Sequence, residues 1–447
     1  MARYLIREAT LVNEGQTYVA DVLVGGTGRI ERIGPSLSAT AATVIDAQGQ
    51  YLLPGVIDDQ VHFREPGLTH KGTIGSESRA AVAGGTTTYL EMPNTKPAAT
   101  THALLEEKYA RAAQTSAANY SFYLGATAHN LDEVLSTDPT RVCGIKAFLG
   151  SSTGDLLLDD EAAQERLFAN CPHLIAIHAE HEPTLRANAE HLKAQYPDDL
   201  PPELHPILRS REACYRSSSH AVALAQRYGT RLHVLQISTA EEVQLFAPAT
   251  TPAELQAKRI TAEACTHHLW FADDDYARLG SRIQWNPAVK TAADRAAIWQ
   301  GIAEGRIDVL ATDHAPHTLA EKQNPYWSCP SGGPLVQHSL LAGFAFVARG
   351  LALTHLVALM CHHPATLFGI VERGFLREGY WADLVLVDPR QPTTVTPDSL
   401  LYSCGWSPFE GVTFPAAVTH TFVSGQLAYR QGVVDPTVRG MRLTFAR

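Results

Sequence analysis

Tyr51–Gly67 reads YLLPGVIDDQVHFREPG. A largely apolar run from Leu52 to Ile57 passes into a polar end that carries Asp58, Asp59, Gln60, His62 and Arg64, and it stops at Pro66-Gly67. In an extended segment alternate side chains share a face, so Gln60, His62 and Arg64 point the same way at the strand's tip. The proline and glycine then end the strand and expose that tip. A buried strand with chemistry at its C-terminal end is the mark of a parallel βα unit.

The same texture recurs downstream. CPHLIAIHAE (Cys171–Glu180), RLHVLQIST (Arg231–Thr239) and RIDVLATDHA (Arg306–Ala315) are short apolar strands with polar ends. They alternate with helical stretches such as SRAAVAGG (Ser78–Gly85), HALLEEKYARAAQ (His102–Gln114), EACYRSSSHAVALAQRYG (Glu212–Gly229) and DRAAIWQGIAEG (Asp294–Gly305). Strand and helix in alternation predict an α/β fold, a (β/α)8 TIM-like barrel over residues 54–376. A doubly wound sheet is the alternative, but no GxGxxG opens a βαβ unit. The ends differ: YLIREATLV, YVADVLV and RIERIG near the N-terminus, and YWADLVLVDPR, THTFVSG and QLAYRQG near the C-terminus, are short β runs separated by turns. Neither end has much core alone. Residues 1–53 with 377–447 are therefore expected to pack as one small β-sandwich domain, its N-terminal part antiparallel.

Composition narrows the partners. A chain of 447 residues with 45% hydrophobic content can bury a large core. A net charge of -10 and the lack of a basic, aromatic-interleaved patch argue against nucleic acid. No signal peptide or membrane-length apolar stretch is evident, so no membrane association and a cytoplasmic location are expected. Seven scattered cysteines without CxxC spacing point away from a disulfide scaffold or a thiolate zinc site. A small molecule is the expected partner.

Several strand ends offer donors. Lys146 lies in VCGIKAFLGSS, inside an apolar strand, where burial disfavours the ammonium. A paired lysine is the plain reading; with imidazoles nearby, carboxylation of the neutral amine would give two anionic oxygens able to bridge divalent ions. His178, His233 with Gln236, and Asp313 close three further strands. Imidazole and carboxylate together suit zinc, which makes hydroxide available near neutral pH, and Asp313 is the candidate to take and return a proton.

PGVIDDQVHFREPG, MPNT (Met92–Thr95), GIKAFLGSS, AIHAE, WNPAVK and ATDHAPH, in this order, resemble the cyclic amidohydrolases and among them the dihydroorotase family. The resemblance spans essentially the whole chain, ADLVLVD and TFVSGQLAY included. It implies a (β/α)8 barrel with a binuclear zinc centre, a carboxylated bridging lysine, four histidines and an aspartate. By that likeness His62, Lys146, His178 and Asp313 match metal positions, while Gln60 and Gln236 fall where the other two histidines are expected. One well-held Zn2+ and a weak or absent second ion are implied. His233 matches a non-ligand histidine. His267 and His268 are left out of the metal set, since adjacent residues in an extended segment face opposite sides, and His314 is read as a packing residue. Arg64, Asn94 and His317 match residues that hold a substrate carboxylate, Asn286 matches a ring contact, and Pro330–Gly333 lies where further contacts are made.

The implied reaction is reversible hydrolysis of (S)-dihydroorotate to N-carbamoyl-L-aspartate in de novo pyrimidine biosynthesis, with Asp313 as the catalytic proton carrier. A dihydropyrimidinase, hydantoinase or allantoinase is the enzymatic alternative. A noncatalytic homologue that partners aspartate carbamoyltransferase is the other. A homodimer or that association would be the quaternary expectation.

Overall fold

The computed structural model describes residues 2–150 and 156–447. Ser151 and Ser152 of the GIKAFLGSS stretch lie outside the described residues. The chain opens with strands β1 (Tyr4–Asn13), β2 (Gln16–Val24), β3 (Ile30–Gly34), β4 (Thr43–Asp46) and β5 (Tyr51–Pro54). Near its end come β15 (Leu384–Asp388), the short ribbon β16 (Thr393–Thr394) with β17 (Thr413–Phe414), and β18 (Ala417–Val423), β19 (Gln426–Arg430) and β20 (Val433–Val434). The two ends interleave in one nine-stranded sheet, ordered β20-β19-β18-β15-β5-β1-β2-β3, with β4 also on β1. The N-terminal part is mixed, a departure from the antiparallel unit expected: β1 runs antiparallel to β2 but parallel to β4 and β5. A register shift between Ile6 and Ala9, with Glu8 at φ 55°, lets the first half of β1 pair with β4 and the second half with β5.

Between these ends lies the barrel. Its strands are β6 (Val56–Val61), β7 (Thr86–Glu91), β8 (Asn119–Phe122) with β9 (Leu124–Gly125), β10 (Ile145–Phe148), β11 (Ile175–His178), β12 (Leu232–Val234), β13 (Ile260–Cys265) and β14 (Val309–Ala311). All pair in parallel, β6-β7-β8 in one run and β9 to β14 in the other. Only Tyr123 separates β8 from β9, so they act as one bent strand. A parallel bridge from Val61 to His314 and the 2.7 Å bond from His62 N to His314 O bring the last strand back to the first. Eight strands thus close on themselves, and their C-terminal tips meet at one end.

The helices form where the sequence predicts them. Arg211–Tyr228 starts at Ser210, whose hydroxyl accepts from Ala213 N, and stops at Gly229 in the left-handed region. Ile74–Ala83 starts with a reciprocal capping box between Thr73 and Ser76. The strand faces separate two apolar clusters. Ile145, Ala147, Ile175 and Ile177 belong to the larger one, and Ile57, Leu174, Ala176, Leu235 and Val309 to another. By alternation, Lys146 and His178 share the face of Leu174 and Ala176 and point into the barrel.

Two glycines shape the junctions. A Cβ on Gly55, between β5 and β6, would sit 2.1 Å from Thr87 Oγ1, and one on Gly67, at φ 83°, would sit 2.0 Å from Lys96 O. No side chain fits either place. A buried polar knot also ties the sheet to the barrel: Asn119 Nδ2 donates to Asp383 Oδ1 at 2.9 Å, Ser424 N donates to the same oxygen at 2.7 Å, and Arg373 pairs with Asp383. No helix of the described residues is long and apolar enough to cross a membrane.

Candidate active site

At the C-terminal end of the barrel one pocket is lined by Gln60 of β6, by His62 and Arg64 just after it, by Asn94 after β7, and by Lys146 of β10 and His178 of β11. Gln236, Asn286 and Asp313 complete it from the loops after β12, β13 and β14. Strand ends far apart in sequence converge because the closed barrel brings every tip to the same rim. Arg64, Gln236 and Asp313 are all non-glycine residues in the left-handed region, at φ 69°, 60° and 49°. Such conformations cost about 1–3 kcal/mol each and gather at functional sites.

Asp313 is the hub. Its Oδ1 accepts from Gln60 Nε2 at 3.2 Å and lies 3.1 Å from His62 Nε2, while Oδ2 accepts from Gln236 Nε2 at 2.8 Å. Gln236 Oε1 faces His178 Nδ1 at 2.8 Å, and His178 Nε2 meets Glu180 Oε2 at 2.8 Å. Both ring nitrogens of His178 thus face oxygen acceptors, and a neutral imidazole carries one N–H. His62 is placed in the same way, its Nδ1 2.7 Å from Asn94 Oδ1 and its Nε2 3.1 Å from Asp313 Oδ1.

Burial sets the charges around these groups. Lys146 is 1% exposed, and burial pushes it down to about 7 against the pull of Asp313, Glu263, Cys265 and Asp59. Burial likewise pushes Asp58 up to about 7, although Thr312 Oγ1 donates to it at 2.6 Å. Glu180 goes the other way: burial opposes ionisation, but Arg209 and His178, each 2.8 Å away, hold its carboxyl at about 2. A folded value below the ordinary 4.5 adds stability that is fully present above pH 4.5 and is lost as pH falls through 2. That gap corresponds to about 3 kcal/mol. Glu180→Gln is therefore expected to flatten the acid limb of a Tm-against-pH curve between these values. An unchanged slope would contradict the assignment.

A polar layer lies beneath the pocket. Asp59, His233 and Glu263 form one group whose ligand atoms all lie within 4.8 Å of one another, and Cys265, His267 and His268 form a second. Sequence reasoning missed both. Among the described residues Asp59 Oδ1 and Glu263 Oε2 are buried and meet no hydrogen-bond partner, and His233 Nε2 sits 3.0 Å from Asp59 Oδ2 in poor alignment. Two carboxylates and an imidazole with unused lone pairs are a fitting donor set for a divalent ion. The second group fits less well, since burial and Glu263 push the Cys265 thiol up and a thiol must lose its proton to bind a metal. An extended segment is the expectation at His267 and His268. They lie instead in a short helix, Thr266–Trp270, with ring centroids 4.1 Å apart, and His267 stacks on Trp285.

A family model described as the amidohydrolase family matches residues 51–428. The chain belongs to the amidohydrolase family. Among curated relatives in it, a dihydroorotase of Halobacterium salinarum is 34% identical over 418 residues, covering 92% of this chain and 94% of that protein. An allantoinase of Bacillus velezensis is 30% identical over 443 residues, covering 96% and 94%. The solved L-hydantoinase (dihydropyrimidinase) from Arthrobacter aurescens superposes with a TM-score of 0.91 at 27% identity, covering 99% of this chain and 100% of that one. The barrel with its small β domain is thus the architecture of this family, and the chain is an enzyme, a metal-dependent hydrolase of that family.

The narrower likeness to a dihydroorotase with Gln60 and Gln236 standing at two metal positions is corrected. The matching model is the amidohydrolase family as a whole, and dihydroorotases and allantoinases match at similar identity. Among the described residues, the histidine, cysteine, aspartate and glutamate groups close enough to hold an ion are Asp59 with His233 and Glu263, and Cys265 with His267 and His268. Both glutamine amides instead donate to Asp313. His233, read as a non-ligand, belongs to one of those groups. Of the residues expected to touch a substrate, Arg64, Asn94 and Asn286 line the pocket with Ser331 and Gly332. His317 stands behind Arg64, 3.0 Å from its Nη2. His314 bonds Glu77 at 2.9 Å, away from the pocket.

Proposed function

We propose that this protein opens the ring of a cyclic ureide by hydrolysing its amide bond, the reaction class to which the names dihydroorotase, allantoinase and hydantoinase belong. The observation that carries the reading is Asp313: a carboxylate at a barrel tip, gripped by Gln60 and Gln236, in a pocket that also holds a guanidinium and two carboxamides. A ring with alternating N–H and C=O groups needs that mixture of donors and acceptors along its edge.

In this reading Asp313 takes a proton from the attacking water and returns it to the departing ring nitrogen. The amides of Gln60 and Gln236 keep its carboxylate aimed during both transfers, and the left-handed backbone at Asp313 turns the side chain inward. Asn94 and Asn286 hold the ring's edge, and Arg64 faces its substituent. Phe148 and Trp285 close the sides of the pocket and keep bulk water away from the reacting bond. His62, His178 and Asp313 at the pocket, with Asp59, His233 and Glu263 beneath it, are the residues that would hold a divalent ion such as zinc. Such an ion supplies Lewis-acid polarisation of the carbonyl and lowers the pKa of water. Lys146, with a value of about 7, offers near neutrality the free amine that carboxylation requires, and the charge of such an ion would offset the added anion.

The test is a panel of dihydroorotate, allantoin, hydantoin and dihydrouracil. It is given to protein prepared with zinc and bicarbonate, with metal content measured on the same sample. Ring opening of at least one, abolished by chelation and restored by metal, is the expected result. No turnover of any ring by metal-loaded protein would sink the proposal.

A further inference from the structure

Ser331 and Gly332 of the pocket wall lead into irregular backbone in which Leu335 and Val336 are fully buried. Buried backbone N–H groups need acceptors, and three successive ones here find them on side chains. Leu335 N and Val336 N donate to His314 Nδ1 at 3.0 and 3.3 Å, and Gln337 N donates to Tyr402 Oη at 3.0 Å. With Nδ1 the acceptor, the one N–H of the neutral ring sits on Nε2, and it donates to Glu77 Oε2 at 2.9 Å. Glu77 Oε1 accepts from Ser403 N at 3.1 Å. The backbone of His314 is placed as firmly as its ring. Its N–H donates to Thr312 Oγ1 at 2.9 Å, its carbonyl accepts from His62 N at 2.7 Å, and it bridges in parallel to Val61 and Gly333. One residue, next to Asp313, thus joins the tip of β14 to the first strand, to the pocket wall and to the helix Ile74–Ala83. A side chain that only fills space needs none of these bonds.

We infer that His314 is a positioning residue: its ring holds the wall segment from Ser331 to Val336 in register with the strand tip that carries Asp313, and so sets how Ser331 and Gly332 face that carboxylate. Its effect on ring binding rests on the reading of the pocket as a cyclic-ureide site; the pinning of the wall does not. Without an acceptor at Nδ1, two buried N–H groups are left unpaired, a cost that the segment relieves by shifting. Its remaining tie to the tip of β14 is then the bond from Ala315 N to Gly333 O, 2.9 Å long. The wall has little slack for such a shift. A Cβ on Gly333 would sit 2.7 Å from the Trp285 ring, and Trp285 Nε1 donates to Asp313 O at 3.2 Å. A displaced wall therefore presses on the indole that lines the pocket and holds the backbone of Asp313.

Two carboxamides separate the roles of the two ring nitrogens. His314→Gln keeps an N–H near the place of Nε2 and leaves Leu335 N and Val336 N without an acceptor. His314→Asn keeps an oxygen near the place of Nδ1 and falls short of Glu77. Deuterium uptake at the Leu335 and Val336 amides is read by mass spectrometry, and KM and kcat are measured on the ring that the native protein turns over. His314→Gln is expected to speed uptake at both amides and to raise KM about tenfold with kcat held within about threefold, as a loss of uniform binding does. His314→Asn should restore most of the native KM and uptake although the bond to Glu77 is gone. Native uptake or native KM in His314→Gln overturns the inference; so does an equal rise of KM in His314→Asn, which marks a residue that only stabilises the fold. If His314→Gln does not fold, His314→Asn decides by the same two readings. Uptake is read without substrate, so a protein that opens no ring yet shows the contrast between the two variants would refute the proposed reaction and leave the pinning of the wall standing.

Discussion

Asp313→Asn is expected to lower kcat for ring opening by about a thousandfold while leaving the protein folded. The native carboxylate receives two amide N–H groups, one on each oxygen. A carboxamide keeps the shape but turns its own NH2 toward one of those donors and forfeits the basic oxygen that accepts a proton. Two consequences are separable by measurement. Initial rates on the ring that the native protein turns over report the lost proton transfer, and metal content of the same preparation reports whether Asp313 also holds an ion. Retention of more than about a tenth of native kcat would show that the proton travels by another group.

The second large effect lies under the pocket wall. Lys108→Met is expected to destabilise the protein by about 3–5 kcal/mol, the cost of leaving a buried charge without its partner. Lys108 and Glu91 form an ion pair with each side chain only 1% exposed, and Lys108 also donates to Met92 O at 3.0 Å. Glu91 Oε1 in turn accepts from the backbone N–H of Phe63 at 3.2 Å, between His62 and Arg64. Burial already raises Glu91 above the ordinary carboxylate value, with Lys108 the chief opposing influence. Without the lysine the carboxyl rises further and stays protonated to higher pH. A raised carboxyl favours the folded state at low pH and loses that advantage as pH rises, so the loss in Tm should be larger at pH 8 than at pH 5. Glu91→Gln added to Lys108→Met should recover part of it. Equal losses at both pH values would show that packing, and not charge, is at stake.

Much of this was legible in the chain. The alternation of apolar strands and helical stretches predicts the barrel, and the polar tips of VIDDQVHFR, LIAIHAE, LHVLQIST and VLATDHAPH name segments that meet in the pocket. Local periodicity suffices there because a parallel strand buried on both faces and a helix buried on one leave different patterns. The pairing of β1 was not legible. One strand changes partner at a bulge, and nothing in YLIREATLV distinguishes a parallel from an antiparallel neighbour. His267 and His268 were misread for a related reason, since a five-residue helix is too short to show its period.

The sequence by itself determined which donors this protein has and that they sit at strand tips: Gln60, His62 and Arg64 on one strand, Lys146, His178, Gln236 and Asp313 on others. Only the tertiary structure decided what each donor faces. Both glutamine amides turn to Asp313, His317 spends its ring on Lys71 and Ser331, and Asp59 meets His233 and Glu263 inside the barrel. The physical reason is the range of the interactions. Strand and helix are chosen by neighbours a few residues away, whereas the hydrogen bond from Gln60 to Asp313 joins residues 253 positions apart, on first and last strands that become neighbours only once eight strands have closed.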